Sequence, residues 1–98
     1  MKNYHTVRWH TIRRVVMALY GNVDPWAFQK HGAIFHPDTV HHIIPAKERP
    51  DLFWSYDNLI PLSRESHAEV HALYAASPED KAATIAQLRS LVRTPDDG

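Results

Sequence analysis

The chain has no cysteine. A disulfide framework and a thiolate zinc site are therefore both excluded. It also lacks any long apolar run. The best candidate, Val15 to Tyr20 behind Arg13 and Arg14, is too short for a signal-peptide core and far from membrane length. Charge of one sign is missing too, because 11 Lys and Arg balance 11 Asp and Glu. The overall basic balance common in nucleic-acid binders is thus absent. The charges are unevenly placed, however. Lys2, Arg8, Arg13 and Arg14 all precede the first acid, Asp24, while Asp96 and Asp97 sit in a tail expected to be loose. Repeats and low-complexity stretches are absent as well. What remains is 98 residues, 44% hydrophobic and 22% charged, which predicts one soluble globular domain over 1–98.

The pattern along the chain is mixed helix and strand. Trp9, Ile12, Val16 and Leu19 recur at helical spacing and predict a helix over Val7 to Tyr20, ended by Gly21-Asn22. Asp24 is a candidate N-cap for a short helical turn with Pro25 in its first position and Gly32 as its stop. Thr39 to Ile44 reads as a β-branched strand closed by Pro45. Ala46 to Asp57 is a loop, with Leu52, Phe53, Trp54 and Tyr56 supplying apolar surface to fold it back. Asn58 to Leu62 is a second strand. Ser63 then caps a helix running to about Ala76, and Ser77-Pro78-Glu79-Asp80 starts a last one. Ile85, Leu88, Leu91 and Val92 form the buried stripe of that helix.

Four pieces of this layout carry chemistry. His41-His42 lies on the first strand, Asn58 opens the second, and His67 and His71 follow on a helix. Helix positions four apart differ by about 40° and roughly 6 Å along the axis, so His67 and His71 point the same way. Neutral imidazoles so arranged can chelate one divalent ion. Adjacent strand residues face opposite ways, so one of His41 and His42 faces the metal and the other is free to act as a base. Phosphodiester hydrolysis needs both parts: a cation for the phosphate charge and a base for the attacking water. An amide such as Asn58 is suited to hold the base by a hydrogen bond. Each piece alone has a plain structural explanation, by packing, a solvated helix face or a turn. The ordered set is far less expected by chance. His5, His10, His31 and His36 have no such setting and read as surface or packing residues.

Thr39-Val40-His41-His42-Ile43-Ile44-Pro45, Pro50-Asp51-Leu52 and Asp57-Asn58-Leu59-Ile60-Pro61-Leu62-Ser63-Arg64-Glu65-Ser66-His67 together resemble the phage-type HNH endonucleases. Extended upstream through Trp9, Arg13, Arg14 and Gly32, the resemblance covers roughly 7 to 74. It implies an α+β domain with a ββα-metal core at about 38–76, flanked by an N-terminal and a C-terminal helix. It assigns His41 and His67 as metal ligands, His71 as an added ligand, His42 as general base, and Asn58 as the residue that braces the hairpin loop and orients the base. One divalent ion is implied, Mg2+, Mn2+, Zn2+ or Ni2+, with products bearing 5′-phosphate and 3′-hydroxyl.

Many members also hold a structural zinc on two Cys-x-x-Cys pairs. The matching positions here are Pro25 and Phe28, then Ser63 and Ser66, so no structural zinc is expected. Packing by Trp26 and Phe28 is expected to fill the space. DNA is the implied partner, with Arg8, Arg13, Arg14, Lys47, Arg49 and Arg64 as candidate backbone contacts. A phage terminase is a further candidate partner, a membrane is not, and the expected location is the cytoplasm of a bacterial host or phage-infected cell. Two rival readings stay open: a non-catalytic metal- and DNA-binding adaptor of a phage packaging complex, and a helical DNA-binding protein without metal.

Overall fold

The computed structural model describes residues 2–95; Asp96 and Asp97 of the expected loose tail lie outside them. Among the described residues, four helices pack around one two-stranded antiparallel sheet. The helices are α1 (Val7–Leu19), α2 (Pro25–His31), α3 (Arg64–Ala76) and α4 (Pro78–Ser90), and the strands are β1 (Thr39–His42) and β2 (Leu59–Leu62). Single 3₁₀ turns sit at Lys2–His5, Pro50–Leu52 and Tyr56–Asn58. This is the α+β layout expected from the sequence. No helix among the described residues is long and apolar enough to cross a membrane.

Helix starts follow local side-chain chemistry. Thr6, Asp24, Ser63 and Ser77 each accept a backbone N–H of the first turn that follows, at Trp9, Ala27, Ser66 and Asp80 respectively. Gly32 stops α2 in the left-handed region (φ 64°), where its own N–H returns to the end of the helix.

The core lies where α1, the sheet, α3 and α4 meet. Trp26, Ile43, Leu59, Ile60, Leu62, Val70 and Leu88 are entirely buried, each stabilising the fold by about 1.5–3 kcal/mol or more. Trp9, Ile12 and Val16 turn the predicted face of α1 into this core, and Leu19 packs at its edge. Of the α4 stripe, Leu88 is buried while Ile85, Leu91 and Val92 are half-buried; Thr84 joins them, its hydroxyl donating to Asp80 O.

One expectation is corrected. Trp26 fills space as predicted, but Phe28 is 58% exposed. A seven-residue helix buries a single face, and in α2 that face carries Trp26 and Ala27. The gap between α2 and the start of α3 is closed by polar groups instead. Asp24 Oδ1 accepts from Ala27 N–H, while Oδ2 accepts from the N–H and the hydroxyl of Ser63.

Candidate active site

The sheet sets the site. His41 pairs with Ile60 and His42 with Leu59 across the ladder. Strand alternation then sends the two imidazoles to different neighbours. His41 meets His67, His71 and Tyr74 of α3. His42 stacks on Trp9 of α1 at 5.5 Å between centroids and packs on Phe53 at 4.5 Å. Both residues are 7% exposed, and both line one cleft of about 350 Å³ together with Tyr4, His67, His71 and Tyr74.

His41, His67 and His71 offer ring nitrogens that all lie within 4.8 Å of one another. The two helix residues bring their Nε2 atoms to 3.0 Å, as the four-residue spacing requires. Burial, followed by the neighbouring His67, His71 and His42, pushes the His41 pKa down to about 3. Burial and His71 also lower that of His67, against a smaller opposing pull from Asp38. The cluster offers three imidazoles and neither thiolate nor carboxylate, a donor set that fits a divalent transition ion. Tyr74 steadies this cluster. Its hydroxyl donates to Ile43 O at 2.5 Å, so toward His41 Nε2, 3.3 Å away, it can only accept.

A group kept neutral below its ordinary pKa makes acid destabilising. The unfolded chain takes up a proton at His41 near pH 6.5, whereas the folded chain resists until about 3. The part of the stability that depends on neutral His41 is therefore complete above about pH 6.5 and is lost as pH drops toward 3. His42, also lowered by burial, acts in the same direction. Thermal melts in chelator across this range should show the decline, and His41→Leu should flatten it; a variant with an unchanged slope would place the acid-sensitive group elsewhere.

His42 has one nitrogen engaged. Its Nε2 lies 3.1 Å from Phe53 O, and a carbonyl oxygen only accepts, so Nε2 carries the proton. Nδ1 is left with the lone pair, and Tyr4 Oη lies 3.5 Å from it. Asn58 does not serve as the base's holder. Its amide is spent on the hairpin neck, where Oδ1 accepts from Ile44 N–H at 2.8 Å and Nδ2 donates to Ile44 O at 3.1 Å. Its backbone carbonyl accepts from Ile43 N–H as well. Asn58 thus clamps the two ends of the 43–58 connection, and buried Phe53, deep in that connection, brings the carbonyl that holds His42.

The expected phosphate contacts divide into two groups. Arg8 lies over the Trp54 ring at 4.1 Å, Arg13 donates to Asp38 O, and Arg49 pairs with Asp51 through two hydrogen bonds. All six are exposed, and Arg14, Lys47 and Arg64 make no such contact among the described residues. None of the six lines the histidine cleft. Sequence reasoning did not single out Tyr4, Phe53 or Tyr74 as site residues. Tyr74 had a signal: it lies three residues beyond His71 and seven beyond His67, on the same helix face. The surface histidines divide as well: His31 meets the Glu69 carboxylate at 3.1 Å and His36 meets Asn22 O at 3.0 Å.

No protein-family profile matches this chain, and no curated protein matches it. Among solved structures the chain is similar to a manganese-bound HNH endonuclease of the deep-sea thermophilic bacteriophage GVE2. The TM-score is 0.68 at 24% identity, covering 84% of this chain and 82% of that one. The two-stranded sheet and the helices packed on it follow the fold of that enzyme: the chain has the HNH endonuclease fold.

Proposed function

We propose that this chain is a metal-dependent HNH endonuclease that hydrolyses DNA phosphodiester bonds. One observation carries the reading: His42, its tautomer set by the Phe53 carbonyl, shares a cleft with a cluster of three imidazoles. A purely structural metal site has no use for a fourth, differently oriented histidine whose unprotonated nitrogen, met only by the Tyr4 hydroxyl at 3.5 Å, lines the same cleft. His41, His67 and His71 would hold the ion, which when bound neutralises charge on the scissile phosphate and the departing oxygen. The chain's own part is the proton. His42 Nδ1 accepts it from the attacking water while Nε2–H stays on the Phe53 carbonyl, which stabilises the imidazolium that results. Stacking on Trp9 fixes the ring plane during this transfer. Arg8, Arg13, Arg14, Lys47, Arg49 and Arg64, all exposed, are the candidate contacts to the DNA backbone outside the cleft, a sequence-independent contact.

An all-imidazole donor set suits Zn2+ and Ni2+ better than Mg2+, with Mn2+ between. Calorimetry should rank affinities in that order. The deciding assay incubates the protein with supercoiled plasmid and each ion, beside a chelator control. Relaxed or linear product that disappears with chelator is expected, while far-UV circular dichroism stays unchanged. Tight metal binding with no cleavage under any ion would assign the chain to the non-catalytic adaptor class. Loss of helical signal in step with metal removal would mark the histidine site as structural.

A further inference from the structure

We propose that Tyr4 is a positioning residue that orients the attacking water against His42. The inference rests on the nuclease reading above. Tyr4 stands in the 3₁₀ turn Lys2–His5 that leads into α1, far from the histidines in sequence, yet its side chain lines their cleft. The ring is held edge-on by Trp9 and Phe53, each with centroids 5.1 Å away. Those same two rings pack His42. Phenol and imidazole therefore share one aromatic cluster, which sets their relative placement.

The hydrogen-bond inventory gives the phenol its role. His42 Nε2 is committed to Phe53 O, so Nδ1 is an acceptor, and a phenol facing it is a donor. The separation of 3.5 Å is long for a direct O–H···N bond. A water seated against both atoms can donate to Nδ1 and accept from the Tyr4 hydroxyl, so the phenol, which makes only a weak contact with the imidazole, is available to direct that water. Burial raises the Tyr4 pKa, so the phenol keeps its proton at neutral pH and remains a donor.

The chemical step then balances. The water O–H proton passes to Nδ1 as the oxygen bonds to phosphorus. The bond from phosphorus to the 3′-oxygen breaks, that oxygen leaves with the electron pair, and it takes a proton from solvent. Tyr4 neither gains nor loses a proton; it fixes the direction of the water's lone pair.

Tyr4→Phe keeps the ring and its packing and removes only the hydroxyl. The expected result on a labelled duplex is kcat about tenfold lower, the size of one lost hydrogen bond. KM, Mn2+ affinity and melting temperature should match the unaltered protein; a merely structural residue would change the last two. An unchanged kcat overturns the proposal, and a higher one shows that the phenol obstructs the base. A second readout needs no activity. In 15N spectra of the metal-free protein, the His42 Nδ1 resonance should move in Tyr4→Phe while Nε2 stays protonated. A resonance identical in both proteins means that the phenol does not address this nitrogen. A moved resonance in a protein that cuts under no ion means instead that the nuclease reading has failed, and the water role with it.

Discussion

His42→Ala is expected to slow plasmid cleavage by about two to four orders of magnitude, the usual worth of a general base, while metal affinity stays at its original level. The two halves of this result come from different faces of β1. His42 packs on Trp9 and Phe53, whereas the metal cluster is built from His41, His67 and His71 on the α3 side. Truncation removes the proton acceptor without touching a donor of the cluster. His67→Ala should give the reverse pattern, with metal binding lost first and activity lost because of it. Calorimetry and cleavage on the same preparations separate the two. If His42→Ala abolished metal binding as His67→Ala does, the roles of His41 and His42 would have to be exchanged. The His42 ring is also part of an aromatic cluster, so a melting curve belongs beside the rate. A fall of a few degrees is expected from the cavity, and an unfolded variant would be replaced by His42→Gln, which fills more of the space.

The parts of this arrangement that sequence could reveal are those governed by neighbours in the chain. N-caps act within three residues, and Asp24, Ser63 and Ser77 all cap the helices expected of them. Strand alternation and helical spacing are equally local, which is why the separation of His41 from His42 and the pairing of His67 with His71 could be anticipated. What escaped depends on contacts between distant segments or on backbone atoms. The group that holds His42 is the Phe53 carbonyl, and every residue carries a carbonyl, so composition has nothing to say about which one is used. Asn58, the side chain expected in that role, is consumed by Ile44, because the hairpin neck needs its two backbone groups paired. Tyr4 reaches His42 across 38 positions through the packing of α1 on the sheet. Phe28 stands at a position where many of the enzymes this sequence resembles carry a zinc-binding cysteine, and the space there is filled without it because α2 is too short to bury a second face.

Asp24→Ala is expected to cost about 3–5 kcal/mol of stability, which for a domain of this size lowers the melting temperature by roughly 15–30 °C. Sequence suggested a helix cap, worth about 1 kcal/mol. The structure gives the same carboxylate a second task. Asp24 is fully buried, and while Oδ1 caps α2 through Ala27 N–H, Oδ2 takes both the N–H and the hydroxyl of Ser63, the latter at 2.6 Å. Ser63 Oγ in turn accepts from Ser66 N–H and so caps α3, the helix that carries His67 and His71. One carboxylate therefore joins the starts of two helices at the place where thiolates would hold zinc in the cysteine-bearing enzymes this sequence resembles. Alanine leaves buried N–H groups without partners, which is costlier than losing the bonds alone. Asp24→Asn should fall between the two, because it keeps one acceptor for the α2 cap but turns an amide N–H toward the Ser63 N–H. Chelator is expected to leave the helical signal of the unaltered protein in place, since this hydrogen-bond network joins the two helix starts without thiolates. Bound metal would still add on the order of 3 kcal/mol at a hundredfold excess over its dissociation constant. Because Asp24→Ala loosens the start of α3, its metal affinity should drop as well, although Asp24 is not among the donors. A melting temperature within a few degrees of the unaltered protein would mean that apolar burial around Trp26 holds α2 and α3 together without the carboxylate.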